Sequence, residues 1–336
     1  RDHCHDCTLE AMRTQTFWRN HLMKRFVIQL FCLGLLALPA LAQTAGFADA
    51  LLGRWDITVQ AADGTSYPSW LEVRLRKENE LMASFVGRFG SMRYASKAQY
   101  SNGQLTIVIP AQYEAAPKEL VFTGKLDGEN LTGTVGDETG KTIQWTAKRA
   151  PALTASKPVT WGKPIQLFNG KDLTGWKLRT NQHGNCWSVA DGSMTNKTPC
   201  ADIISEQKFT DFKAHIEFQT VPNGNSGVYL RGRYETQISD GYNQVLDSLR
   251  MGAVYGWLKP LVNAAKKPGE WQALDITLIG RKVTVVFNGQ TIIDNETIPG
   301  ITGGALDSDE AAPGPIMLQG DHTKILYRKV DITPAK

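Results

Sequence analysis

Apolar residues recur at every second place over most of this chain, in short runs broken by glycine, asparagine and aspartate. The runs at 54–59, 70–75, 105–109, 119–123 and 143–147 all follow this rhythm. A period of two puts one face of a strand in a core and the other in water, which predicts antiparallel sheet. Asp63-Gly64, Asn102-Gly103 and Asp127-Gly128 have the chemistry of tight hairpin turns. A meander of this kind over 43–150 closes most simply into a small up-and-down barrel. It has no histidine or cysteine and only scattered carboxylates, so a structural or ligand-holding module is the expectation.

A stretch rich in proline, alanine, serine and threonine at 151–159 reads as a linker. Beyond it, over 160–336, the same period carries more unusual polar text. Phe212, Ala214, Ile216 and Phe218 make one face of a strand, and Lys213, His215, Glu217 and Gln219 the other. After a turn at Asn223-Gly224, Val228 and Leu230 are expected inward, with Tyr229 and Arg231 outward. Glu235 with Gln237, and later Gln319 with Asp321, repeat the arrangement. If these strands are neighbours, one sheet face gathers Glu217, Tyr229, Arg231, Glu235, Gln237, Gln319 and Asp321. Planar bidentate groups of this kind suit sugar hydroxyls, and aromatic rings suit the C–H face of a sugar ring. A solvated sheet face with cross-strand ion pairs has the same composition.

The start of the chain changes which residues can be used. Met23-Lys24-Arg25, an apolar run at 26–38 and Ala40-Leu41-Ala42 follow the order of a secretory signal peptide. The run is too short to be preferred as a membrane span, which needs roughly 20 apolar residues. We therefore expect a signal at 23–42, cleavage near Ala42, an upstream segment 1–22 outside the mature chain, and a periplasmic or secreted protein. The metal-like cluster His3-Cys4-His5-Asp6-Cys7 falls in the discarded part. Of five cysteines, Cys186 and Cys200 remain, and in an oxidising compartment a disulfide is expected. Its closure would contribute about 3 kcal/mol in the chain-entropy view. Removing residues 1–42 leaves 37 minus 5, or 32, basic residues against 33 minus 3, or 30, acidic ones. So small a surplus gives no reason to expect nucleic acid or an anionic membrane as partner. About 290 residues exceed what one small core serves, so two domains are expected.

Residues 167–176, Leu-Phe-Asn-Gly-Lys-Asp-Leu-Thr-Gly-Trp, open an ordered set of motifs. The set continues through Asp211-Phe212, Asn225-Ser226-Gly227, Tyr234-Glu235-Thr236-Gln237, Gly252-Ala253-Val254-Tyr255, Pro268-Gly269-Glu270-Trp271, Asn288-Gly289 and Gly314-Pro315-Ile316-Met317-Leu318-Gln319, and ends at Arg328-Lys329-Val330-Asp331-Ile332. This set resembles the 3-keto-disaccharide hydrolase, or 3-keto-glucoside 1,2-lyase/hydratase, domain family over about 170 residues. The resemblance implies a C-terminal concanavalin-like jelly-roll sandwich with its ligand in the concave sheet and says nothing of the first domain; with the small, somewhat lipocalin-like antiparallel barrel that alternation predicts there, an all-β chain is expected. It departs from the family's usual His-Gly pair after the glutamine, reading Gln319-Gly320-Asp321-His322.

The implied reaction begins with a ketone at C3 of a glycoside. The ketone acidifies the C2 hydrogen, a carboxylate removes it, the C1 substituent leaves, and water adds to the resulting enone. Such chemistry needs a base, an acid and a group that stabilises enolate charge. Glu235 and Glu217 are the base and acid candidates in either order, and Arg231 is the enolate candidate. A structural salt bridge between neighbouring strands is the alternative for Arg231 and Glu235. Asn225, Tyr229, Gln237, Tyr255, Trp271, Gln319, Asp321 and His322 are candidate contacts to a carbohydrate substrate. Asp321 and His322 are also open to a divalent ion, and no other cofactor is implied. Trp176 and Trp271 suit core packing as well as sugar stacking. A non-catalytic carbohydrate-binding module on the same fold is the alternative, because fold alone does not establish activity.

Overall fold

A computed structural model describes residues 50–76, 80–113, 119–137, 139–154, 158–180, 184–197 and 200–336. The signal at 23–42, the segment before it and the His3-to-Cys7 cluster lie outside the described residues. Of two compact units, the first, Arg1–Leu52, is described only at residues 50–52. The second, Gly53–Lys336, holds every strand.

Nine strands come first: β1 (Gly53–Gln60), β2 (Ser66–Leu75), β3 (Leu81–Val86), β4 (Arg93–Tyr94), β5 (Lys97–Ser101), β6 (Gln104–Pro110), β7 (Glu119–Asp127), β8 (Asn130–Gly136) and β9 (Thr142–Arg149). They form one antiparallel sheet in the order β4-β3-β2-β1-β9-β8-β7-β6-β5. The sheet curls on itself: the Ala95 N–H donates to Ala83 on β3, and the adjacent Ser96 N–H donates to Val108 on β6. Alternation explains its filling. Trp55, Ile57 and Val59 of β1 are buried, and Phe85, Phe122 and Trp145 stack in a tilted series at 4.9 and 5.9 Å between ring centres.

Thirteen further strands build a two-sheet sandwich of jelly-roll type: β10 (Ile165–Gln166), β11 (Trp176–Leu178), β12 (Trp187–Ala190), β13 (Ser193–Asn196), β14 (Ile203–Phe209), β15 (Phe212–Thr220), β16 (Asn225–Leu230), β17 (Tyr234–Ser239), β18 (Gln272–Ile279), β19 (Lys282–Phe287), β20 (Gln290–Thr297), β21 (Gly314–Leu318) and β22 (Ile325–Pro334). One sheet runs β12-β13-β22-β15-β18-β19-β20, with β10 also on β22, and the other runs β11-β14-β21-β16-β17. Phe212, Ala214, Ile216 and Phe218 enter the core between them together with Val228, Leu230, Tyr234 and Ile238. The fold is all-β. Cys186 and Cys200 form a disulfide with 5.7 Å between Cα atoms.

The curled sheet packs directly on the loops of the sandwich. The Trp70 ring meets Trp257 edge-on at 5.2 Å, and Arg54 donates to the Pro299 carbonyl at 3.0 Å. Phe89-Gly90 lies so close over Gly303 that a Cβ there would fall 2.2 Å from the Gly90 oxygen. Only glycine permits that approach.

In the same contact Asp56 of β1 meets the fully buried Glu310, whose Oε2 accepts from the Tyr234 hydroxyl at 2.5 Å. Burial first, then the Glu310 charge, push the Asp56 carboxyl up to about 9. The folded chain therefore holds a proton that the unfolded chain gives up near 3.8, and stability falls as pH rises between those values. Asn at position 56 offers Glu310 a permanent donor. On going from pH 5 to pH 9, Asp56→Asn is expected to lose less stability than wild type, by up to about 5 kcal/mol. Urea unfolding at the two pH values checks this, and equal losses would remove Asp56 from the account.

Candidate functional site

The five-stranded sheet turns one face to the core and the other to a cavity of about 420 Å³. Strand period decides what each face carries. Val228 and Leu230 point to the core, whereas Tyr229 between them packs with Ile204 and Met317 in a separate cluster on the far side. Pairing of β16 with β17 sets Tyr229 opposite Glu235 and Gly227 opposite Gln237. The Gln319 N–H extends the ladder by donating to the Gly227 carbonyl at 2.9 Å. The cavity floor is thus a cross-strand array of Tyr229, Glu235, Gln237 and Gln319.

Glu235 is the chemically distinctive member. Only 4% of it is exposed, and its Oε2 accepts from the Tyr229 hydroxyl at 3.0 Å. Burial pushes its carboxyl up to about 8, the Tyr229 hydrogen bond opposes this, and the charges of Asp202 and Asp321 add to the rise. Its carboxylate lies across Gly227, where a Cβ would come within 2.3 Å of Oε1. Gln237 donates to the Asn225 side-chain oxygen at 2.9 Å, which fixes both amides on the floor.

One wall is the Arg179–Asp202 pair, which follows β11 and precedes β14. Arg179 Nη1 lies 3.1 Å from Asp202 and donates to the Gly304 carbonyl at 2.7 Å, while Nη2 donates to Ala305 at 2.8 Å. Burial raises the Asp202 carboxyl, partly opposed by the Gly320 N–H and by Arg179. Asp321 and His322 stand at the rim, 3.2 Å apart and half-exposed. Tyr255 and two aromatic residues from loops of the curled sheet, Phe89 and Tyr113, complete the lining. Tyr255 and Tyr113 are hydrogen-bonded through their side chains, and burial leads the rise in the Tyr255 phenol.

The structure thus brings together Glu235, Asn225, Tyr229, Gln237, Tyr255, Gln319, Asp321 and His322. Three residues grouped with them in sequence do not join. Glu217 sits on β15, in the other sheet, on its solvent side. There it lies 3.2 Å from His215, whose other ring nitrogen is 2.7 Å from Asp275, and it also pairs with Arg328. Partial burial works against it, but the hydrogen bonds from His215 and Arg328 hold its carboxyl below the usual range. Trp271 is beside that cluster, with the Arg328 guanidinium 4.5 Å over its ring.

Arg231 lies past the end of β16 with a left-handed backbone, φ 54°. That turn reverses the direction alternation assigned to it. Its side chain is fully buried and donates to the Tyr234 hydroxyl and the Gly280 carbonyl, each at 3.0 Å. The expected meeting of Glu217, Arg231 and Glu235 in one pocket does not occur.

Sequence reading missed Arg179, Asp202, Phe89 and Tyr113. Arg179 and Asp202 are joined across the strand ends, the Arg179 N–H donating to the Asp202 carbonyl at 2.8 Å. Among the described residues, no group of three or more His, Cys, Asp or Glu side chains is placed to hold a metal ion. No described helix is long and apolar enough to cross a membrane.

Comparison with known proteins matches residues 163–333 to the profile of the 3-keto-alpha-glucoside-1,2-lyase-like domain. Among solved structures, three Parabacteroides distasonis proteins described as candidate glycosyl hydrolases are similar. The first is 32% identical over 54% of this chain and 92% of its own, with a TM-score of 0.45. The second is 24% identical over 52% of this chain and 100% of its own, with a TM-score of 0.41. The third is 21% identical over 52% and 94%, with a TM-score of 0.43. A search of curated proteins finds no match.

Proposed function

Because this chain belongs to the 3-keto-alpha-glucoside-1,2-lyase-like domain family through residues 163–333, a carbohydrate-active domain, we propose that it cleaves 3-keto-glycosides by elimination and hydration, with Glu235 as the base. The observation that carries this reading is a buried carboxylate, raised to about 8, on the floor of a cavity lined by amides, hydroxyls and carboxylates. A base of that strength, shielded from water, suits a hydrogen made acidic by a neighbouring ketone.

The steps balance as follows. Glu235 takes the C2 hydrogen as a proton, and the C–H electron pair becomes the enolate of the C3 ketone. The enolate then expels the C1 oxygen substituent, which leaves with a proton, and a C1–C2 double bond remains. Water adds as hydroxide to C1, its other proton going to the group that protonated the leaving oxygen, and Glu235 returns its proton to C2. The products are a 3-keto sugar and the free alcohol.

Arg179 takes the role first considered for Arg231. It is the guanidinium that lines the cavity, and its charge stabilises a developing enolate. The Tyr229 hydroxyl orients the base through its hydrogen bond. His322 and Asp321, at the rim, are the candidates for protonating the leaving oxygen. Asn225, Gln237 and Gln319 bind hydroxyls.

The test is incubation of the purified protein with a 3-keto-glucoside, following substrate loss and 3-keto sugar release. Binding without loss would reduce the domain to a sugar-binding module. The pH profile adds a sign. Proton abstraction needs ionised Glu235, so kcat/KM is expected to rise about tenfold per pH unit below pH 8 and level off above it. A profile that falls through pH 8 would make Glu235 an acid instead.

A further inference from the structure

The cavity is lined from different parts of the chain. Groups able to bind hydroxyls lie on the five-stranded sheet and the strand ends beside it: Asn225, Gln237, Gln319 and Asp202. The rings of Phe89, Tyr113 and Tyr255 line the same cavity. Phe89 lies in the loop between β3 and β4 and Tyr113 just past β6, both outside the residues that match the family profile.

Those rings have little polar capacity to offer. Phe89 has none, and the Tyr113 and Tyr255 side chains are hydrogen-bonded to each other. Phe89 is 52% exposed and Tyr113 65%, so neither is there to fill a core. Arg88 covers one aspect of the Phe89 ring, with its guanidinium carbon 5.2 Å from the ring centre.

The rings are also held in place. The Gly304 N–H donates to the Arg88 carbonyl at 2.9 Å, and the Gly90 backbone lies against Gly303. Ser91 is tied to Gln112 by two hydrogen bonds, at 3.1 and 3.0 Å, which joins the Phe89 segment to the residue before Tyr113. Gly303 and Gly304 are in turn anchored to the catalytic wall, since Gly303 lies 3.0 Å from the Tyr229 hydroxyl and Gly304 bonds Arg179.

We propose that Phe89, Tyr113 and Tyr255 form the subsite for the leaving group, and that this subsite selects a flat, apolar ring over a second sugar. This rests on the reading of Glu235 as the base acting on a 3-keto-glucosyl unit. A sugar leaving group could lay its C–H face on these rings, but for its hydroxyls the wall offers only what the Tyr113–Tyr255 hydrogen bond leaves of two phenols. An aryl group would instead gain ring contacts, which favour offset or edge-on packing.

The experiment compares phenyl 3-keto-glucoside, methyl 3-keto-glucoside and a 3-keto-disaccharide on the full chain. Intrinsic leaving-group reactivity cancels when each variant is expressed as a ratio of kcat/KM values relative to wild type. Phe89→Ala is expected to lower the phenyl-to-methyl ratio about tenfold, mainly through KM for the phenyl substrate. Phe89→Leu, which keeps apolar bulk, should lie between wild type and Phe89→Ala and decides the matter if the alanine variant does not fold. Wild type should also show a lower KM for the phenyl compound than for the disaccharide. Unchanged ratios in both variants, or a disaccharide KM below the phenyl one, overturn the subsite. If wild type consumes none of the three substrates, the reading of Glu235 fails and takes this subsite with it. Turnover with unchanged ratios overturns the subsite alone.

Discussion

Glu235→Gln is expected to lose about a thousandfold in turnover of a 3-keto-glucoside, the middle of the range for removing a general base. The amide has nearly the same shape, and its oxygen still accepts from Tyr229, so the 3.0 Å contact and the fold should persist. Only the capacity to take a proton is lost. Substrate affinity should therefore change far less than kcat. The variant should also be at least as stable as wild type near pH 9, because a buried carboxyl held up to about 8 costs stability as pH rises through that value. Glu217→Gln is the matched control. It breaks an ion pair on the opposite sheet, and such exposed pairs contribute about 0–1 kcal/mol. If Glu217→Gln loses turnover as steeply as Glu235→Gln, or if Glu235→Gln turns over at the wild-type rate, the assignment of the base is wrong.

The contrast between these two glutamates marks how far the sequence could be read. Alternation correctly sorted Tyr229, Glu235, Gln237 and Gln319 onto a face away from the core, because period two is a local property of each strand. It could not separate Glu217 from them. A sandwich has two outward faces, and which sheet a strand joins depends on pairings far apart in the chain, such as β15 with β22. Arg231 failed for another reason. The strand ends at Leu230, and the next two residues, Arg231 and Gly232, both take positive φ, so the parity count stops one residue too early to assign its side chain. The Arg231-Gly232 pair was the available signal, since glycine beside a polar residue at a strand end suggests a turn.

Arg179 and Asp202 carried a weaker signal. They become neighbours only once Leu178 is set opposite Ile203. Phe89 and Tyr113 carried none. Their place at the cavity follows from packing between the curled sheet and loop 300–305, and the glycines that allow that packing have no periodicity to betray them.

Gly227→Ala tests whether the position of the base matters as much as its identity. The added Cβ would stand 2.3 Å from Glu235 Oε1 and 2.9 Å from Cγ and Cδ. Gly227 does not adopt a positive φ, so the backbone accepts alanine and the conflict falls on the neighbouring side chain. Glu235 is the mobile party, being the end of a flexible chain, and it is expected to swing off its contact with Tyr229. A misplacement on the order of 1 Å can cost about a hundredfold in rate, so turnover should fall by roughly that factor. Stability should fall by no more than about 1–2 kcal/mol, since overpacking is partly offset by replacing a strand glycine. A loss of folding could also lower turnover, and the pH profile separates the two. A carboxylate moved towards water regains part of its ordinary acidity, because burial is the leading cause of its rise. The pH at which kcat/KM levels off should therefore drop below 8 in Gly227→Ala, whereas partial unfolding would scale the whole curve and leave its midpoint unmoved.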